Sequence, residues 1–182
     1  MSGIKLAGNT AIVTGGSRGI GRGIALTLAA AGADIAFCHY GDDERARATV
    51  ADIEALGRKS YAAECDVSSP TAIKKFYADS VSALGDIDIL VNNAGHNITE
   101  PFEDISEESF DRMLDVHVKG TFFMTQSAYR DMKRRGKGRI INITSQLAYK
   151  GAPKMAHYCA AKGANTTFTR ALALECGDTG VL

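Results

Sequence analysis

Short apolar runs alternate with helical stretches along the whole chain, and that order leaves few folds open. Residues 10–14 (Thr-Ala-Ile-Val-Thr) form a β-branched run that opens directly onto Gly15. The pattern turns helical over 19–31 and stops at Gly32, and 34–38 reads as a second strand. A charged, Ala-rich helix covers 43–56, a third strand 59–63, and a helix that follows Pro70 runs to about residue 84. Strand four is predicted over 88–91, a long helix over 107–135, strand five over 139–144 and a final helix over 157–176. Strands separated by helices and joined by right-handed crossovers give a parallel sheet covered on both faces, a doubly wound three-layer α/β fold. No repeat, low-complexity tract or linker interrupts the pattern, so 1–182 reads as one domain.

The first strand–helix junction reads Thr14-Gly-Gly-Ser-Arg-Gly-Ile-Gly21. Gly15, Gly19 and Gly21 allow a tight turn and a close approach of backbone to an anionic group. The helix that begins there directs free N–H groups and its positive dipole end at that group. Placed after the first strand, the turn points to nucleotide binding, although G-x-x-x-G-x-G is not the commoner G-x-G-x-x-G. A carboxylate ending strand two would accept hydrogen bonds from an adenosine ribose and repel a 2′-phosphate. Here Phe37-Cys-His-Tyr-Gly41 supplies none before Asp42. Arg18 and His39 are candidates to face the phosphate, which favours NADP(H) over NAD(H); the opposing reading has Arg18 solvated and Asp42 swinging in. Asp66-Val67, beyond strand three, is placed to meet the adenine. Asn92-Asn-Ala-Gly95 follows strand four at the carboxyl edge, where ligands of such sheets bind.

Tyr158 and Lys162 lie one helical turn apart on a shared face. A phenol with a pKa near ~10 is a poor acid or base at neutral pH. A neighbouring ammonium favours the phenolate and brings proton transfer to a carbonyl or alcohol oxygen within range. Ser145, at the end of the strand-five run, is placed to donate to the same oxygen.

Composition narrows the alternatives. Lys+Arg 21 balances Asp+Glu 21, so no net field calls for nucleic acid or a membrane surface. The first residues lack the apolar core of a signal peptide and no run reaches transmembrane length. Cys38, Cys65, Cys159 and Cys176 are scattered without a C-x-x-C pair, which fits reduced thiols in a cytoplasmic protein, and no metal-ligand spacing is present.

Taken together, T-G-G-S-R-G-I-G, D-V after strand three, N-N-A-G, Ser145 and Tyr158-x-x-x-Lys162 resemble the short-chain dehydrogenase/reductase family in their order along the chain. The set is most similar to 3-oxoacyl-(acyl-carrier-protein) reductases. The resemblance implies a Rossmann-type domain and hydride transfer between NADPH and a carbonyl or secondary alcohol, with a 3-oxoacyl thioester as a candidate substrate. It implies Tyr158 as proton donor, Lys162 lowering its pKa and holding the nicotinamide ribose, and Ser145 orienting the substrate oxygen. Gly15, Ser17, Arg18, Gly19, Ile20, Gly21, Asp66, Val67, Asn93, Ala94 and Gly95 would line the cofactor, with Tyr158 and Lys162. It also implies a homo-oligomer assembled through the 107–135 and 157–176 helices.

Two departures from the family pattern stand out. His117 fills the position of an Asn that serves a proton relay. An imidazole there either keeps the relay, with a pH dependence near ~6.5, or is a buried, hydrogen-bonded histidine. Leu182 falls where a sixth strand should be starting, so strand five, with Ile140, Ile141 and Ile143, would be left as an unpaired edge. Two other readings stay open: a truncated NADP-binding remnant without turnover, and an assembly protein using the two interface helices.

Overall fold

The computed structural model describes residues 5–182. The signal-peptide reading falls largely on residues 1–4, outside the described residues. Five strands are present among the described residues: β1 (Thr10–Thr14), β2 (Asp34–His39), β3 (Ser60–Glu64), β4 (Ile89–Asn92) and β5 (Arg139–Asn142). The helices are α1 (Gly19–Ala30), α2 (Asp43–Ala55), α3 (Pro70–Leu84), α4 (Glu107–Leu114), α5 (Gly120–Arg135), α6 (Leu147–Lys150) and α7 (Ala156–Cys176). The strands form one parallel sheet in the order β3-β2-β1-β4-β5. The chain works outward from β1 to β3, then returns to start β4 on the other side of β1. The carboxyl ends of β1 and β4 therefore flank a topological switch point, the crevice where such sheets take ligands.

Side-chain alternation along β1 builds both halves of the core. Ala11 and Val13 face α1 and α2, packing with Ala25, Ala29 and Ile53. Ile12 faces the opposite layer with Phe76 of α3 and Met124 and Met132 of α5. Every residue of β1 is buried, as a strand covered on both faces requires. Each large apolar side chain so placed contributes about 1.5–3 kcal/mol.

Asp88, immediately before β4, is a polar anchor at the opposite end of the sheet. It accepts from Arg135 Nη1 at 2.9 Å, Lys137 Nζ at 3.1 Å and the Thr10 N–H at 3.2 Å. Burial alone would raise its pKa, but Arg135, Lys137 and the Thr10 amide together hold it below the ordinary carboxylate range.

Beyond one-residue shifts at several element ends, three differences from the predicted elements bear on the site. Strand five ends at Asn142 rather than residue 144, because its partner β4 ends at Asn92. The long helix over 107–135 is broken into α4 and α5 by a π-helical turn, Asp115–Lys119, a device that often accompanies functional sites. A short helix not anticipated, α6, is started by the Leu147 N–H donating to Ser145 Oγ at 3.1 Å.

β5 is the outer strand on its side, but its expected unpaired edge is partly filled. Val181 bridges to Gly138 in parallel, and the Ile140 N–H donates to the Leu182 carbonyl at 2.8 Å. Ile140 and Ile143 pack against the two core clusters, while Ile141 stays 47% exposed. No helix among the described residues is long and apolar enough to cross a membrane.

Candidate active site

The glycine turn and the N-N-A-G segment, distant in sequence, are one structure. The Thr14 hydroxyl accepts from the Asn93 and Ala94 N–H groups, each at 2.9 Å, while Asn93 Nδ2 donates to the Thr14 carbonyl at 3.0 Å. A Cβ on Gly21 would stand 2.1 Å from the Gly15 carbonyl oxygen, so the first turn of α1 lies directly against the turn only because residue 21 is glycine. Arg18 precedes α1 in an extended conformation without a side-chain cap, and no acidic residue occupies the first helical turn. The helix start is thus left open to an anion. These features fit the pyrophosphate of a dinucleotide.

A cavity of ≈ 760 Å³ opens above the carboxyl ends of the strands, within the usual range for small-molecule sites. Gly15, Ser17, Arg18, Gly19, Ile20, Gly21, His39, Asp66, Val67, Asn93, Ala94, Gly95, His117, Tyr158 and Lys162 all line it. Ser145 does not itself line it, although Ile143 and Thr144 just before it do; its Oγ accepts from the Leu147 N–H, which leaves its O–H free to donate. No group of three or more His, Cys, Asp or Glu suited to a metal ion occurs among the described residues.

α7 carries Tyr158 and Lys162 together, and polar contacts fix it. Lys162 Nζ donates to the Ile143 carbonyl at 2.8 Å, and Asn165 Nδ2 donates to the His117 carbonyl at 2.9 Å. Burial lowers the Lys162 pKa. Its Nζ lies 5.7 Å from the centre of the Tyr158 ring. Behind β4 and β5, Asn92 Nδ2 donates to Thr125 Oγ1 and Asn142 Oδ1, both at 2.8 Å, and Asn142 Nδ2 to Thr169 Oγ1 at 2.9 Å. This chain of amides ties both strands to α5 and α7.

His117 sits in the π turn and is buried. Its ring meets the Tyr158 ring edge-on at 5.4 Å. Nε2 lies 2.7 Å from the His96 carbonyl oxygen, a separation that requires a donated hydrogen bond, so Nε2 carries the proton. The His96 N–H also approaches Nε2, at 3.2 Å, but one ring nitrogen cannot donate and accept at once and the shorter contact decides. Nδ1 is then a bare acceptor, buried without a partner. Burial, and next the Lys162 charge, lower the His117 pKa to about 4. The pH dependence near ~6.5 expected for an ordinary histidine is therefore displaced to acid, and the ring is neutral at pH 7.

The sequence reading missed several wall residues. Arg112 of α4 donates from Nη1 to Asp66 Oδ2 and Ser68 Oγ, both at 3.0 Å, and lies 5.7 Å from the centre of the Tyr40 ring. Asp66 also accepts from the Ser68 N–H at 2.9 Å. Burial would raise the Asp66 pKa, yet the Ser68 contacts and Arg112 bring it below the usual value. Arg112 lies in α4 with no local signal, and only the tertiary fold brings it to Asp66. His39, a candidate for a phosphate, is buried with Nε2 3.7 Å from Asp43 Oδ1.

Comparison with known proteins agrees with this architecture. The family model for short chain dehydrogenase matches residues 9–182. Versicolorin reductase 1 of Aspergillus parasiticus is 41% identical over 175 residues, covering 96% of this chain and 66% of that protein. The 3-oxoacyl-(acyl-carrier-protein) reductase FabG of Staphylococcus epidermidis is 37% identical over 172 residues, covering 94% and 70%. A short chain dehydrogenase from Burkholderia cenocepacia in complex with NADP superposes with a TM-score of 0.92 at 39% identity, over 97% of this chain and 72% of that one. A 7α-hydroxysteroid dehydrogenase complexed with NADH gives 0.93 at 34% identity, over 98% and 69%. The chain spans about two thirds of the length of these relatives. By the family match, its parallel sheet and the sequence identity, the chain belongs to the short-chain dehydrogenase family.

Proposed function

We propose that the chain is the nucleotide-binding and proton-transferring part of an NADPH-dependent carbonyl reductase. The observation that carries this reading is the convergence of the α1 N-terminus, Tyr158 and Lys162 on one cavity at the switch point of the sheet. A bound NADPH supplies the hydride to the carbonyl carbon. Tyr158 donates a proton to the carbonyl oxygen as charge develops on it. Lys162, drawn toward the cavity by the Ile143 carbonyl, supplies the positive charge beside the phenol and a donor to the ribose. Gly15, Gly19 and Gly21 hold the pyrophosphate against backbone N–H groups. The preference for NADP(H) is supported by Arg18 at the adenosine end and by the NADP-bound neighbour. A 3-oxoacyl thioester is the first substrate to try, on the strength of the reductase relative. The setting proposed is the cytoplasm.

Self-association through α4–α5 and α7 belongs to the same reading. Phe122 of α5, 42% exposed, meets Phe168 of α7 with ring centres 5.1 Å apart, forming an outward aromatic pair on those helices. One observation favours binding without turnover as a second reading: Ser145 is outside the cavity wall. Fluorescence titration with NADPH and NADH, followed by NADPH oxidation with a 3-oxoacyl thioester, separates the two. NADPH binding with turnover supports the reductase, binding alone supports the second reading, and no nucleotide binding sinks both.

A further inference from the structure

The adenosine end of the cavity contains an anion of the protein's own. Asp42 Oδ2 accepts from Ser17 Oγ at 2.8 Å and lies 3.8 Å from Arg18 Nε, while Oδ1 lies 3.6 Å from Arg45 Nη1. The Asp42 side chain is only 17% exposed, whereas Arg18 and Arg45 are 73% and 60% exposed. A hydroxyl from the glycine turn and two guanidinium groups, from separate elements, thus converge on one carboxylate. Asp42 also stands at the N-cap of α2, where its side chain would ordinarily accept from the first helical N–H groups. It makes no such bond.

Resting on the nucleotide reading above, we propose that Asp42 occupies the seat of the cofactor's 2′-phosphate in the free protein and must vacate it for NADPH. The residue has a second place to go. Rotated out of the seat, the carboxylate reaches the vacant N-cap of α2, where it also complements the helix dipole. Ser17 Oγ and the guanidinium groups then pass from carboxylate to phosphate, keeping charge-assisted hydrogen bonds throughout. NADH brings no 2′-phosphate, so Asp42 keeps its seat and the arginines stay neutralised. Asp42 therefore taxes NADPH without taxing NADH, and the preference for NADPH is smaller than Arg18 alone would give.

The test uses Asp42→Asn, which removes the charge and keeps a good N-cap residue, and Asp42→Ser as a second neutral cap. The probes are 2′,5′-ADP and ADP, titrated calorimetrically into wild type and both variants, so no turnover is needed. Both variants should bind 2′,5′-ADP about tenfold more tightly than wild type and ADP within about twofold of it, a change of the size expected when a like charge leaves an anion site. Adding Arg18→Met to Asp42→Asn should cancel the gain. Unchanged 2′,5′-ADP affinity, or a loss of ADP affinity showing that Asp42 serves the ribose, overturns the proposal while leaving nucleotide binding intact. Failure of every protein to bind either probe overturns the nucleotide reading itself.

Discussion

His117 and Gly95 face each other so closely that a Cβ on Gly95 would lie 2.4 Å from His117 Cε1. The imidazole fills the space a side chain at 95 would need, between the N-N-A-G segment and the π turn. Gly95→Ala should push the ring off the His96 carbonyl, destabilising the fold by about 1–3 kcal/mol, the usual range for overpacking. Combining Gly95→Ala with His117→Asn should recover part of that loss. Additive denaturation free energies in the double variant would show that the two side chains do not compete for this space.

Acid should destabilise the protein through His117. Its folded pKa of about 4 lies below the ordinary histidine value, so between roughly pH 6.5 and 4 the unfolded chain binds the extra proton and stability falls as pH falls. From pH 7 to pH 5 this one group should remove about 2 kcal/mol. His117→Asn should flatten that part of the curve. Equal slopes for wild type and variant in urea melts at the two pH values would count against the assignment.

Tyr158→Phe keeps the ring that meets His117 and removes the proton. Turnover, in whatever form of the protein carries it, should fall about 10²–10⁴-fold, with NADPH affinity nearly unchanged. Lys162→Met should weaken both, since Lys162 lies in the cavity wall and also anchors α7 to Ile143. Similar kcat for Tyr158→Phe and wild type would remove the tyrosine from the mechanism.

Gly21→Ala tests the anion cradle. The added methyl would meet the Gly15 carbonyl at 2.1 Å, and a backbone atom cannot move aside without opening the turn. Nucleotide affinity should drop at least about tenfold, since the lost backbone contacts to pyrophosphate are charge-assisted. An unchanged dissociation constant would mean that the phosphates bind elsewhere.

Asp88→Ala would leave Arg135, only 11% exposed, without its buried carboxylate. A loss of about 3–5 kcal/mol is expected, the cost of uncovering one partner of a buried pair, with nucleotide affinity spared because the site lies at the other end of the sheet. The Asp88 carboxyl pKa is depressed, so its stabilising contribution is present above about pH 4 and is lost as pH falls through the folded value. Thermal melts of the variant with and without NADPH check both halves.

The alternating order of strands and helices was legible because it rests on local chemistry: β-branched runs, helical periodicity and glycine stops. The glycine turn and the Tyr158–Lys162 pair were legible for the same reason, since each is a short motif whose parts share one turn or one helix face. The residues that complete the cavity were not. Arg112 meets Asp66 and Ser68, distant from it in sequence, only in the folded chain, and the His117 ring becomes a neutral, buried acceptor only through its surroundings in the π turn. That Ser145 Oγ accepts from the Leu147 N–H at the start of α6 was likewise not legible in the sequence. Asp42 shows the difference most plainly. The sequence offered a carboxylate two positions past Tyr40 and an arginine in the glycine turn, but not which would have the other. Close packing of β1, β2 and the start of α2 decided that, by setting Ser17 Oγ 2.8 Å from the carboxylate. Local motifs depend on neighbours along the chain, whereas charge pairing and burial depend on neighbours in space, which only the folded sheet supplies.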